Sequence, residues 1–559
     1  VSGTTHSAAS DCAGRLSKTY VTRNGIHRHQ LSGNEALNLL PFAGASRRRI
    51  ATLAVVAAFT GAAIGLFSGV AGTTRAAAAD ASSDATFDSS LGTWQPKTGT
   101  SARRVTSPTQ SGTGSLEVVN STQSAREIGA VSATKFADCV TPTPGSRYVA
   151  RAWVRSASSA RAASVALTFL DGSGAVAARI VGQALKDSSR AWLRPLDTAA
   201  VAPANAKCVI VGVAFQAAAP GEKHYIDTVS LTTRRAGAAR IVGPLHTSGT
   251  KILDANDRSV RFRGVNRSGM EGTEDGPPTD HDISQAHAWG ANFVRLPLGQ
   301  QYWLSNNCYY DPTYRSTLDD AVKLITGKGM VVMLDLHWHT IGNCGHYGQW
   351  PMSESAPSVT FWKQVAARYK DNPLVAFDLY NEPHHVSDDQ WRNGGPITWH
   401  GVTYRTAGMQ EMYDAVRSTG AKNLVMVTAP HWGNIWPKKT SPITGTNIVY
   451  AAHAYTCPQV PAPQCTNTAP YDPSQFFQFW TTAETKYPIM VTEFGWPNPN
   501  DGLYIHNVIA YAEAHNWNWS VYVWGKTWGP FTLLANNKDG QAFQPRLSGM
   551  PVLAAFPGT

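Results

Sequence analysis

Two glutamates in the C-terminal half of the chain sit in short polar motifs, Asn381-Glu382-Pro383 and Thr492-Glu493-Phe494-Gly495. A pair of carboxyls supports acid–base work, or nucleophilic attack by the one that is ionised. Each pair member closes a short apolar run, and other runs nearby end in the same manner. They give Gly264-Val265-Asn266, Arg295-Leu296-Pro297, Asp335-Leu336-His337-Trp338-His339, His431-Trp432, His453-Ala454-Tyr455 and Val523-Trp524-Gly525. A scaffold without chemistry has no reason to gather polar and aromatic groups at every such end.

The elements that must position these groups follow from the pattern. Strand-like runs fall at 260–265, 292–298, 330–336, 375–380, 424–428, 448–452, 489–492 and 520–524, with amphipathic stretches at 318–326, 359–369, 409–419, 476–486 and 505–515 between them. Parallel neighbours need crossover connections, so eight strands with helical crossovers predict a closed (β/α)8 TIM barrel over 245–559. Barrels of this kind carry their chemistry at the C-terminal ends of the strands, where these motifs lie.

Upstream the pattern changes. Alternating segments at 115–119, 148–154, 164–169, 208–215 and 225–231 predict an all-β sandwich over 84–236, followed by a short linker. Trp153 is expected in its core. Residues 1–80 read as a leader. Arg47-Arg48-Arg49 precedes an apolar run at 50–70, and Ala76-Ala77-Ala78 offers a cleavage site, which together predict a secretory signal. An uncleaved anchor is the competing reading. The chain is therefore multidomain.

The 559 residues carry a net charge of +10, but its distribution decides more than its sum. Residues 1–79 hold eight basic and two acidic side chains, 80–240 eighteen and eleven, and 241–559 twenty-two and twenty-five. The mildly acidic C-terminal half argues against nucleic acid as a partner. Of seven cysteines, two fall in the sandwich and four in the barrel, an even count in each that suits export. The expected pairs are Cys139–Cys208, Cys308–Cys344 and Cys457–Cys465, although the last four allow three pairings. No Cys-x-x-Cys spacing occurs, so no metal site is expected.

Over residues 245–556 the ordered motifs Arg-Leu-Pro, Leu-Asp-x-His, Asn-Glu-Pro, His-x-Tyr, Thr-Glu-Phe-Gly and a terminal-strand Trp resemble glycoside hydrolase family five. The sandwich resembles the jelly-roll carbohydrate-binding modules of polysaccharide-degrading enzymes, on Phe87-Asp88, Leu91, Trp94, Ala152-Trp153-Val154 and the closing Ile226-Asp227…Val229-Ser230-Leu231. The first resemblance implies a retaining mechanism with carboxyls about 5 Å apart, Glu382 as acid/base and Glu493 as nucleophile. Two acids that close titrate as a coupled pair. Arg295 would keep Glu493 ionised and Tyr455 would hydrogen-bond it. Asn381 would hold the sugar 2-hydroxyl, His337 and His453 would be further hydrogen-bond partners, and Trp524 the apolar floor. Trp303, Trp338, Trp350, Trp432 and Trp496 are candidates to line sugar subsites, whereas His339, His384, His385 and His431 are expected to be peripheral.

The implied protein is a secreted monomer acting on β-linked polysaccharide without a cofactor. Endo-β-1,4-glucanase activity is the leading expectation, because the His246-Thr247-Ser248-Gly249…Ile252-Leu253-Asp254-Ala255-Asn256 opening is similar to bacterial endoglucanases. β-Mannanase and exo-acting or disaccharide-releasing activities are the alternatives. Two rivals from other classes are a metal-dependent barrel hydrolase using His337 and His339, and a non-catalytic sugar-binding protein.

Overall fold

The computed structural model describes residues 83–437, 442–455, 472–498, 500–525, 527–536 and 542–557, with Val21–Thr22 and Gly25–Ile26. Residues 1–76 and 77–559 are separate compact units. In the first, Val21–Thr22 pairs antiparallel with Gly25–Ile26. The apolar run at 50–70 and Cys457–Cys465 lie outside the described residues. No described helix is long and apolar enough to cross a membrane.

Residues 83–234 form two six-stranded antiparallel sheets. One runs Val176–Val181, Ala162–Leu170, Cys208–Ala218, Arg126–Val131 and Gln95–Pro96, with Leu185–Lys186 beside its second strand. The other runs Thr198–Val201, Arg147–Ser156, Lys223–Arg234, Ser115–Asn120 and Thr100–Val105, with Ser83–Ala85 beside its third. Residues of alternate parity, such as Leu116, Val118, Val154, Leu167, Phe169, Val213 and Ile226, meet in one core between the sheets. Cys139 and Cys208 are bonded. Trp153 departs from expectation. Its neighbours Ala152 and Val154 are buried while it is half-exposed, so the alternation turns it outward with Arg151 and Arg155.

The second part is a closed barrel of eight parallel strands: β1 (Arg263–Asn266), β2 (Phe293–Gly299), β3 (Val331–Thr340), β4 (Val375–Asp378), β5 (Val425–Thr428), β6 (Ile448–Ala454), β7 (Ile489–Phe494) and β8 (Asn518–Val521). Each pairs with the next, and β8 pairs with β1 to close the ring. Period-two alternation sorts the side chains. Val294, Val332, Leu334 and Val427 face the outer helices, while Phe293, Met333, Ala376, Met426 and Met490 fill the lower interior. Two residues further along the same inward rows come Arg295, Asp335 and Asp378. The interior is thus an apolar plug capped by a charged layer.

Five crossover helices lie at or near the expected stretches: Tyr314–Gly327, Ser355–Tyr369, Met409–Arg417, Pro473–Phe477 and Leu503–Ala514. The pattern missed Asp280–Trp289, whose low amphipathicity hides it. Its punctuation is plain: Thr279 and Asp282 form a reciprocal capping box, and Gly290 ends the helix at φ 104°.

The sandwich and barrel share packed surface. Val149, Ala199 and Val201 join the barrel's outer core, and the Gln544 side chain pairs with both backbone groups of Val201. Arg147 is fully buried and donates to the carbonyls of Leu553, Phe556 and Pro557 at 3.2, 3.0 and 2.7 Å, at the end of helix Met550–Ala555. Burial pulls its guanidinium down to about 10, with Arg234 adding to the fall. Arg147→Ala would strand three buried acceptors and is expected to destabilise the chain by about 3 kcal/mol, read as the shift in the urea midpoint; an unchanged midpoint would contradict this account of the interface.

Candidate active site

The charged layer centres on Arg295, which β2 places inside the barrel with no exposure. Its guanidinium meets Asp335 at 3.0 Å, Asp378 at 3.1 Å and the carboxylate of Glu493. It also donates to Asn266 Oδ1 at 3.1 Å and Asn381 Oδ1 at 2.8 Å. Parallel register makes Asp335 and Asp378 direct neighbours. One cation thus answers three carboxyls in a dry interior. Burial raises the pKa of both Asp335 and Asp378 despite the attraction of Arg295, so protons are retained there. The guanidinium itself stays charged: burial opposes the charge, but Asp335, Glu493 and Asp378 outweigh it.

Glu493 ends β7, and Glu382 follows β4 in the turn that also presents Asn381. Near His453 the β6–β7 register slips, so His453 pairs with Glu493 rather than Thr492. That slip brings the two glutamates together. His453 Nδ1 lies 2.9 Å from Glu382 Oε1 and 3.7 Å from Glu493 Oε2. One atom from each of Glu382, His453 and Glu493 falls within 4.8 Å of the others. Burial lowers the pKa of His453, but Glu493 and the hydrogen bond to Glu382 win and raise it above its ordinary value. Tyr455 donates to Glu493 Oε2 at 3.0 Å, and burial keeps that hydroxyl protonated far above neutrality. Gln349 donates to Glu382 Oε2, and its own carbonyl accepts from Asn381 Nδ2 at 3.3 Å. His337 is 2.6 Å from Asp335 Oδ2, and burial lowers it to about 3, so its ring is neutral.

Arg295, His337, Asn381, His453 and Tyr455 therefore gather with Glu382 and Glu493. Trp524 does not. The chain leaves the sheet after Val521, the alternation stops, and Trp524 is driven outward against Trp289 at 4.9 Å and Phe543 at 5.7 Å. Its burial at 1% exposure excludes it as a floor. Tyr522 is, with Tyr455, in electrostatic reach of Glu493, and packs on Trp528 at 5.2 Å.

Trp303 is likewise corrected to a core residue at 1% exposure, its indole bonded to Gln364. Trp338, near the end of β3, and Trp350 and Trp432 on loops stay half-exposed. Trp432 stacks on His384 at 3.6 Å, and His384 Nδ1 touches the Glu382 carbonyl at 2.8 Å. The Cys308–Cys344 bond ties the loops after β2 and β3.

Sequence reasoning gave no role to Asp335, Asp378, Gln349 or Tyr522. Asp335 and Asp378 were findable, being inward by parity and level with Arg295. Gln349 sits on an irregular loop that carries no periodic signal.

Residues 253–527 match the model of cellulase, glycosyl hydrolase family 5. The barrel is a glycosyl hydrolase family 5 domain. Similar proteins include an endoglucanase of Paenibacillus polymyxa, 26% identical over 50% of this chain and 79% of its own length. A probable endo-β-1,4-glucanase B of Aspergillus kawachii is 28% identical over 40% of this chain and 66% of its own. Among solved structures, a β-glucanase of Saccharophagus degradans in complex with cellotetraose aligns at a TM-score of 0.45 and 20% identity, covering 57% of this chain and 94% of that one. The family 5 domain is a glycoside hydrolase.

One buried acid of this family 5 domain lies outside the cluster. Glu271, on the loop after β1, accepts from the Gly269 N–H at 2.6 Å and has no exposure. Burial lifts it from 4.5 to about 8. The folded state then holds a proton that the unfolded chain has released. Its contribution is complete below about pH 4.5 and is lost as pH rises through about 8. Glu271→Gln, which keeps the acceptor, should match wild type near pH 4 and unfold at higher denaturant than wild type near pH 9. A variant that tracked wild type at both pH values would contradict the buried protonated acid.

Proposed function

We propose that the chain is an exported, retaining endo-β-1,4-glucanase in which Glu493 attacks the anomeric carbon and Glu382 protonates the leaving oxygen. The observation that carries this reading is the gap between the two carboxyls, bridged by His453 with all three atoms inside 4.8 Å. Enzymes that invert need a wider gap, roughly 6.5–9.5 Å, to seat a water between the basic carboxylate and the sugar. The partners of the two acids differ. Glu493 faces the Arg295 guanidinium and accepts from the Tyr455 hydroxyl. Glu382 meets the Gln349 amide and His453, and it shares that imidazole with Glu493.

The sequence of events follows. Glu493 forms a covalent bond to the sugar as Glu382 gives its proton to the departing glycan. Glu382, now a base, takes a proton from water, which displaces Glu493 and returns a product of unchanged configuration. Asn381, held by Arg295 and Gln349, presents its amide to the sugar 2-hydroxyl. Neutral His337, oriented by Asp335, lines the same subsite.

For the substrate, the names of the similar endoglucanases favour β-1,4-glucan, and the half-exposed Trp338, Trp350 and Trp432 supply aromatic faces for a chain of sugars. Export is supported by the two disulfides. The sandwich is a carbohydrate-binding-like module, for which the outward Trp153 beside Arg155 and Tyr225 is the support. The rival metal hydrolase needs His337 and His339 to share an ion, yet neither belongs to a group of three potential ligands among the described residues.

The test compares reducing-end release from soluble β-1,4-glucans and mannans with release from aryl cellobiosides. Glu493→Gln should cost at least about 10³-fold on every substrate. Glu382→Gln should cost as much on glucan but far less on aryl glycosides, whose leaving groups need no proton. Equal losses on both substrates for Glu382→Gln, or activity surviving Glu493→Gln, would overturn the assignment.

A further inference from the structure

The sandwich reaches past the outer helices to the catalytic end of the barrel. Gln183, just beyond strand Val176–Val181, donates from Nε2 to Asp501 Oδ1 at 2.8 Å and accepts from the Gly502 N–H at 2.6 Å. Asp501 and Gly502 close the segment that leaves Glu493 and opens helix Leu503–Ala514, of which Gly502 is the N-terminal cap. Asp501 Oδ1 also accepts from the Leu503 N–H at 2.9 Å. One side-chain amide from the sandwich thus holds both a carboxylate and a backbone N–H at the foot of this segment. An amide offers a donor and an acceptor on one plane, which neither a carboxylate nor a hydroxyl reproduces here.

The same segment carries Trp496, three residues after Glu493. Its ring stacks on Tyr504 at 5.2 Å, and its indole N–H is buried without a partner among the described residues. Next to it the backbone has no slack. A Cβ on Gly495 would fall 2.6 Å from the Tyr522 carbonyl and 3.5 Å from the Tyr455 ring. Tyr455 and Tyr522 are the two aromatics that face Glu493. Tyr504 stands in the first turn of the helix that Gly502 caps, so a shift at Asp501 and Gly502 is carried through the Tyr504–Trp496 stack to the residues around Glu493.

The sandwich has a firm base from which to hold this segment. Arg147 is locked into three barrel carbonyls, Gln544 pairs with Val201, and Val149, Ala199 and Val201 are part of the barrel's outer core. Asp197 and Arg194 of the sandwich also lie in electrostatic reach of His506, on the first turn of that helix.

We infer that the sandwich is a fixed part of the active-site frame, and that Gln183 is a positioning residue acting through Asp501 and Gly502 on the residues from Glu493 to Trp496. The effect on turnover rests on the glycosidase reading, while the restraint on the backbone does not. Two measurements on the full chain separate them. Hydrogen–deuterium exchange at residues 500–503 reads the restraint. Steady-state kinetics on a soluble cello-oligosaccharide reads its consequence.

Gln183→Ala should speed exchange at Gly502 and Leu503, leave the thermal midpoint near wild type, and raise KM about fivefold, the factor for one net hydrogen bond lost, with kcat little changed. Gln183→Glu should be worse, since its carboxylate faces Asp501. Pairing Gln183→Glu with Asp501→Asn removes the facing carboxylates and should recover part of the loss in both exchange and KM, since the oxygen that accepts from Leu503 is the one Gln183 met. The inference is overturned if Gln183→Ala exchanges as wild type does, if exchange rises throughout the sandwich with a falling midpoint, or if the local opening leaves KM unmoved. A wild-type chain inactive on every glycan would instead sink the glycosidase reading, and the exchange result would still decide whether Gln183 restrains the segment.

Discussion

A guanidinium buried inside a closed barrel is expensive, and it is tolerated only where anions surround it. Arg295 meets that condition with Asp335, Asp378 and Glu493. The constraint runs both ways. Three carboxyls crowded on one cation cannot all ionise freely in a dry interior, and burial raises the pKa of Asp335 and Asp378. From this cluster the remaining groups take their places. Asp335 orients His337, and Arg295 orients Asn381. Remove the guanidinium and Asn266, Asn381 and the three carboxyls lose the one donor they share.

The second feature is the slip in register between β6 and β7. A strictly regular pair would oppose His453 to Thr492, and the imidazole would not reach both glutamates. A local irregularity of a single residue aims side chains that regular sheets cannot, and such irregularities concentrate at functional sites. Here it lets one histidine touch both acids.

Much of this was legible beforehand because it depends on periodicity. The inward parity of Arg295, Asp335 and Asp378 follows from counting by twos along β2, β3 and β4, and the eight strands fall on the expected apolar runs. Where periodicity stops, the reading stops with it. Counting by twos from Asn518 and Ser520 turns Trp524 inward only on paper. The strand ends at Val521, so Trp524 is a core residue, and Tyr522, the first residue past that end, takes the place beside Glu493. Trp153 shows the converse, since its parity with Arg151 and Arg155 already pointed outward, against the expected core position. Gln349 and Gln183 act from irregular segments, and no pattern in the sequence relates them to the residues they bind.

The pairing of carboxyl groups is the claim on which the chemistry stands. Incubating the full chain with a 2-deoxy-2-fluoro cellobioside bearing a good leaving group slows breakdown of any covalent intermediate, and peptide mass spectrometry then locates the sugar. The account predicts one adduct, on the peptide containing Glu493, with activity lost in proportion to labelling. Labelling on another acid, or a product of inverted configuration formed without any adduct, would contradict it.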